Sequence, residues 1–220
     1  MSKADVETHQ NVSKIVHYEL CIMNYIKTIL FVFAMLMLAG CESTSQPKPR
    51  GYYRIDLPQH EYVSLQSDAF SRVTGSLPYT FDVNRSVTIT EHPDGERHWI
   101  DIRYPDFNVN VHCSYKPVQH NLRELSDDAQ RFVYNHAGKA SAIPEQGFDN
   151  AEEHVHGVMY ELVGNTASPC QFYMTDSLHH FFRAAVYFNC IPNQDSLAPV
   201  RDYLIDDIRH MVETMKWRNR

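Results

Sequence analysis

Histidine is the residue type with the most chemistry to offer in this chain. Of its 13 histidines, His9 and His17 precede Cys41 and 11 follow it. His154-Val155-His156 is the best local arrangement. Positions i and i+2 of a strand share a face, so both imidazoles could reach one ion. Glu152 and Glu153 stand next to the pair, but no cysteine or carboxylate pair is spaced to complete a shell. Exposed histidines at a strand entrance are the commoner outcome. His154 and His156 are therefore the pair to test for a metal, while the expectation is no metal and no cofactor. A serine, an aspartate and two histidines also meet at Asp176-Ser177 and His179-His180. They fall in a predicted hairpin turn, without the Gly-x-Ser-x-Gly elbow or oxyanion loop that nucleophilic catalysis needs. A polar turn, or a docking edge, is the plainer reading. Asp127-Asp128 and Asp206-Asp207 lie on predicted helices, where adjacent side chains point about 100° apart and do not make an acid/base dyad. No His-Glu-x-x-His, phosphate loop or dinucleotide fingerprint occurs. The residue pattern argues against an enzyme.

The cysteines carry a different chemistry. Leu38-Ala39-Gly40-Cys41 has small residues directly before a cysteine, the pattern of a bacterial lipobox, whose thiol is diacylated before cleavage. Ahead of it, Ile29 to Leu38 is an apolar run of ten residues preceded by Lys27. Ten residues span about 15 Å as a helix, half a bilayer's hydrocarbon core, so the run reads as an export signal rather than a span. Residues 1–22 place Asp5, Glu7 and Glu19 before a signal that should open on a methionine and a positive charge, which makes Met23 the expected start and 1–22 an upstream extension. Residues 1–40 are set aside on this reading, and Cys41 is the lipidation site. Export permits disulfides. Three cysteines remain, Cys113, Cys170 and Cys190; if two of them bridge, the pair is Cys170–Cys190, and three small buried residues are the plainer reading.

These groups need elements to position them. Residues 42–50 hold no large apolar side chain and read as a tether, reaching about 30 Å when extended. The remaining 51–220 suit a single domain with a real core. Removing 1–40 takes away three lysines and three acids, so the formal charge stays at −7. A net acidic domain argues against nucleic acid as a partner. Tyr53, Ile55 and Leu57 alternate up to Pro58, and Tyr79–Val83 and Val87–Thr90 are short β-type runs. Pro93-Asp94-Gly95 signals a turn. Residues 86–116 read as an antiparallel meander in which Phe107, Val109, Val111, Cys113 and Tyr115 share a face and Pro105-Asp106 bends the chain.

The period then changes to helical. Asn121 caps a predicted helix whose Leu122, Leu125, Ala129, Phe132 and Val133 share a face, with Gly138 at its end. Residues 141–153 read as polar loop. Val155–Val163, Gln171–Thr175 and Phe181–Asn189 read as strands. A closing helix, capped by Asp195 or Ser196, runs to about Trp217 with Leu197, Val200, Leu204, Ile208, Met211 and Met215 inward. Pro199 falls in its first turns. Strands, helix, strands, helix make an α+β domain, an antiparallel sheet flanked by helices. Tyr52, Tyr53, Tyr62, Tyr79, Tyr104 and Trp99 crowd the first half, mostly as core, with a surface subset able to touch protein or glycan.

Several segments together resemble a known family. They are Lys48-Pro49-Arg50-Gly51-Tyr52-Tyr53-Arg54-Ile55-Asp56-Leu57-Pro58 soon after the lipobox, and Tyr104-Pro105-Asp106-Phe107. Gln171-Phe172-Tyr173-Met174-Thr175-Asp176-Ser177 follows, running into Phe181 to Phe188. Pro192 to Val200 and the terminal Met215-Lys216-Trp217 complete the set. The chain is similar to the gliding-motility lipoprotein GldD family of Bacteroidota over essentially all of 41–220. It departs from the family's pattern at His112-Cys113, Cys170 and Cys190. The resemblance implies a non-enzymatic accessory of the gliding and type IX secretion machinery, with the lipid bilayer and other envelope proteins as partners, and no catalytic residue to carry over. A peptidoglycan- or glycan-binding module and a metal-dependent hydrolase using His154 and His156 are the alternatives. Surface lipoproteins of Bacteroidota tend to carry acids after the lipidated cysteine. Here Glu42 stands alone, which implies the periplasmic side, of the outer membrane. The order of elements also resembles the Mog1/PsbP-type sandwich, a docking fold.

Overall fold

The computed structural model describes residues 22–31, 33, 55–93 and 95–218. Cys41, its lipobox and the 41–50 tether lie outside the described residues. The contacts divide the chain into two units, Met1–Gly51 and Tyr52–Arg220. In the first, residues 22–31 form an exposed helix, α1. Among the described residues no helix is long and apolar enough to cross a membrane.

The second unit runs β1 (Tyr62–Ser64), α2 (Ser71–Thr74), β2 (Tyr79–Thr80), β3 (Asp82–Asn84), β4 (Thr88–Glu91), β5 (Ile100–Tyr104) and β6 (Val109–Pro117). Then come α3 (Leu122–Tyr134), β7 (Ala140–Ala142), β8 (Glu145–Asn150), β9 (Val155–Glu161), β10 (Val163–Gly164), β11 (Cys170–Thr175) and β12 (His180–Phe188). The chain closes with α4 (Gln194–Glu213) and β13 (Lys216–Trp217). One seven-stranded sheet, in the order β4-β5-β6-β12-β11-β9-β8, carries the fold. Its neighbours all pair antiparallel. The two-stranded pairs β1-β3, β7-β10 and β2-β13 surround it. The domain is α+β, as its alternating runs and two helical stripes predict.

Alternation along each strand gives the sheet two unlike faces. On one face Ile100, Ile102 and Tyr104, then Val109, Val111 and Cys113, then Phe182, Ala184 and Val186 are buried in one cluster with Val200, Leu204, Ile208 and Met211 of α4. Each large side chain so buried contributes about 1.5–3 kcal/mol. Leu65, Phe81 and Val83, from the β1–β3 region, close the same cluster. The opposite face is covered by α3 over only part of its width: Leu125 and Ala129 sit on Phe181, and Val133 on Tyr160 and Leu162. The β4–β5–β6 part of that face stays open, and its outward positions are polar.

The differences from the sequence reading have physical causes. Of the alternating run that ends at Pro58, residues 55–57 form no strand, and pairing begins only near Glu61, whose carbonyl accepts the Arg85 N–H at 2.7 Å. The polar stretch 141–153 contains β7 and the edge strand β8, whose backbone pairs with β9 while its side chains stay largely exposed. The bend at Pro105–Phe107 is a 3-10 turn, ending at Asn108 in the left-handed region with φ of 50°. Asn121 precedes α3 as expected, but its Oδ1 accepts the Gln119 N–H at 2.8 Å and does not cap the helix. Asn193 caps α4, accepting the Ser196 N–H at 3.3 Å, one turn's fraction earlier than Asp195 or Ser196 would. Pro199 accordingly lies inside the helix, where it removes one backbone donor. The helix stops at Glu213, and Trp217 pairs with Tyr79 instead of continuing it.

The candidate Cys170–Cys190 bridge is not formed. All three described cysteines are free, with Cys113 and Cys170 buried and Cys190 exposed. The register of β11 on β12 sets Gln171 against Ala185, which puts Cys170 against Val186, four residues short of Cys190. Four strand residues span about 13 Å, well beyond the roughly 7 Å that a disulfide can join.

Candidate functional site

The open part of the sheet and the flank of α3 make a cleft of about 340 Å³. Its floor is built by register. Asp101 of β5 lies opposite His112 of β6, and Ser114 opposite Arg183 of β12, all on the face away from α4. One wall is the side of α3, with Leu125, Asp128, Ala129 and Phe132. The other is the β4–β5 hairpin, which brings His92 and Trp99 over the floor. Trp99 is fixed there because its Nε1 donates to the Tyr115 carbonyl at 2.9 Å.

Beside the cleft, Asp101 gathers two imidazoles that line it, those of His92 and His112. His92 Nδ1 donates to both carboxylate oxygens at 2.9 Å, and His112 Nδ1 donates to Oδ1 at 2.7 Å. The ligand atoms of the three side chains lie within 4.8 Å of one another. The two rings stand nearly perpendicular, 83° apart with centroids at 5.6 Å. Arg183 crosses the floor with its guanidinium 4.6 Å above the Phe132 ring and donates to Gln171 Oε1 at 2.7 Å. It has no carboxylate partner among the described residues, and burial pulls its pKa down. Cys113 follows His112 in sequence but points into the α4 core, where burial pushes its thiol far above the usual range. It is not part of the cleft's donor set.

A second aspartate–histidine group sits on the opposite face. Asp207 of α4 has a wholly buried side chain. It accepts from His60 Nδ1 at 2.6 Å on Oδ1 and from Asn84 Nδ2 at 3.0 Å on Oδ2. Asn84 Nδ2 also donates to the Tyr203 hydroxyl at 2.8 Å. The His60 ring stacks on Tyr203 at 4.1 Å, and Tyr62 stacks on His210 at 3.7 Å. Burial first, and then the Asp207 charge, push the phenols of Tyr62, Tyr104 and Tyr203 up. The His60, Tyr62, Tyr203 and His210 rings stack in pairs, so the group closes the segment before β1 onto α4.

The histidine pair singled out from the sequence does not assemble. His154 is an exposed turn residue with φ of 53°, one position before β9 begins, so it does not share the strand geometry of His156. Its carbonyl accepts the Trp217 Nε1–H at 3.0 Å. His156 Nε2 instead lies 2.6 Å from Ser177 Oγ, across β9 and β11. That contact does not make a triad. The Asp176 carboxylate is turned toward the N–H groups of Leu178, His179 and His180, at 3.0, 2.8 and 2.8 Å, and so does not stand behind His156. Burial works against Asp176's charge, but those three donors outweigh it and hold its pKa below the ordinary value. Asp127-Asp128 and Asp206-Asp207 diverge as helical neighbours should: Asp128 pairs with Arg131 and Asp206 with Arg209, while Asp207 turns inward.

The group His92–Asp101–His112 was missed because its members are 9 and 11 residues apart and look unremarkable singly. The signal was available in the alternation. If Val111 and Cys113 face the core, His112 faces away. If Ile100 and Ile102 do so too, Asp101 faces away, and a turn near Pro105–Asn108 sets the two opposite each other.

Among known families, the model described as gliding motility lipoprotein GldD matches residues 42–217. A comparison with curated proteins found no match.

Proposed function

The chain belongs to the family of gliding motility lipoproteins GldD, and from that premise we propose that it is an accessory component of the gliding and type IX secretion machinery that works by contact rather than by catalysis. As a family member it is a gliding-motility lipoprotein, and membrane anchoring in the cell envelope follows from that class. The observation that carries the finer reading is the extent of the match. It begins at residue 42, directly after Cys41, and takes in the whole sheet and both long helices, so the domain as a unit is what the family shares. In this reading Cys41 is acylated, residues 42–50 hold the domain within about 30 Å of the bilayer, and the domain faces the periplasm from the outer membrane. Neither the Ser177–His156 contact nor the Asp207 group has the layout of a nucleophilic or acid/base centre, which supports contact over turnover.

Deleting the gene and restoring it with wild type or Cys41→Ser tests this. Loss of surface spreading and of secretion on deletion, restored by wild type and not by the Cys41 variant, is the expected outcome. Normal spreading and secretion in the deletion strain would sink the proposal. Crosslinking in cells, followed by identification of the captured envelope proteins, names the partner. Protease applied to intact cells should leave the protein whole, and removal would overturn the periplasmic placement.

A further inference from the structure

We infer that His92, Asp101 and His112 form a binding site for one divalent transition-metal ion of the zinc or cobalt type, with its open coordination positions facing the cleft. The site goes beyond the accessory role and stands whether or not that role holds.

The donor set is the first argument. Two imidazole nitrogens and one carboxylate suit borderline ions such as Zn²⁺, Co²⁺ and Fe²⁺, and three protein ligands with free positions are the usual form of a site that exchanges ligands. Hard ions such as Mg²⁺ and Ca²⁺ call for shells of oxygen and are poorly matched here. Geometry is the second. Around an ion with bonds of about 2.1 Å, adjacent donors sit about 2.9–3.4 Å apart. The Nδ1 atoms of His92 and His112 lie 2.9 and 2.7 Å from Asp101 oxygens, close to that range, and all three ligand atoms lie within 4.8 Å of one another. Perpendicular rings suit two ligands approaching one centre from different sides.

The scaffold is the third argument. The donors come from the end of β4, from β5 and from β6, three strands hydrogen-bonded in sequence, so the ladder itself fixes their spacing. All three side chains are partly buried, with 28%, 18% and 40% of their surfaces exposed for His92, Asp101 and His112. That is enough shelter to strengthen the bonds and enough access to admit an ion. The Trp99 and Tyr187 rings flank the imidazoles at 6.1 and 5.5 Å and limit where they can swing. Lys116 and Arg183 share the cleft, so an anionic group completing the shell meets positive charge there.

The test uses the full chain in detergent, freed of metal with a chelator and then titrated with Zn²⁺ or Co²⁺. One ion per chain is expected, with visible Co²⁺ absorption reporting nitrogen and oxygen ligands. Asp101→Asn and His112→Gln should each weaken binding by about 100-fold. His154→Gln with His156→Gln should leave it unchanged, and excess Mg²⁺ or Ca²⁺ should not compete. Zn²⁺ should raise the unfolding temperature of the wild-type protein and not of the Asp101→Asn variant, a linkage readout that also shows the variant is folded. Absence of one-to-one binding, binding undiminished in both cleft variants, or loss through His154 and His156 alone would overturn the site.

Discussion

Asp101 and Asp207 each hold an imidazole within 3 Å, on opposite faces of one sheet, yet their surroundings differ in every other respect. Asp207 is sealed. Both its oxygens are taken, His60 and Tyr62 lie flat against Tyr203 and His210, and the phenols nearby are held protonated by burial and by the carboxylate's charge. Asp101 shares Oδ1 between two histidines whose rings reach into an open cleft. The same pair of residue types thus serves two ends. Where both oxygens are taken and the carboxylate itself is buried, it ties segments together. Where the shell is incomplete and reachable, it can take a ligand.

Removing each carboxylate should separate the two. Asp207→Ala leaves His60 and Asn84 facing a buried gap, and the loss of one member of a buried pair costs about 3–5 kcal/mol. Urea unfolding should show that loss; a cost under about 1 kcal/mol would erase the distinction. His60→Ala should cost less, about 1–2 kcal/mol, and should expose 55–61 to limited proteolysis, since those residues form no strand of their own.

Alkaline unfolding sharpens the point. Unfolded tyrosines ionise near pH 10, while Tyr62, Tyr104 and Tyr203 are pushed above that in the folded protein. Ionisation therefore favours the unfolded state first. The stability these phenols confer is present below about pH 10 and is lost as pH rises beyond it. Asp207→Asn should flatten part of that slope, because the charge that adds to the burial effect is gone. The smallest effect belongs to the open site: Asp101→Asn should change metal-free stability by less than about 1 kcal/mol. A large destabilisation there would make Asp101 a second structural tie rather than a ligand.

Much of the fold was legible before any coordinates. The meander of β4, β5 and β6, the two helical stripes and the Asp176–His180 turn all follow from periodicity, because a half-buried face must alternate and a docked helix must repeat. What the chain concealed has one common cause: backbone pairing that leaves no mark on side chains. β8 is an edge strand whose polar residues read as loop. Residues 55–57 alternate like a strand and join no sheet. The candidate site divides in the same way. His154 and His156 were conspicuous as neighbours, but a turn in the left-handed region parts them. His92, Asp101 and His112 are far apart in sequence, and only the register of three strands brings them together. Cys170 and Cys190 made a plausible pair by count and compartment, and register again decided otherwise.

The clasp at Asp207 also has a mechanical meaning. If Cys41 carries the acyl chains, a pull between membrane and domain enters through the N-terminal side and meets firm holds at His60 and Tyr62, on α4 and β3. Tension would then load the α4 side of the sheet as a shear across stacked rings, and the histidine-bearing cleft on the far side would stay out of the line of force. A lipoprotein built this way could be tugged through its leash without having its open face distorted.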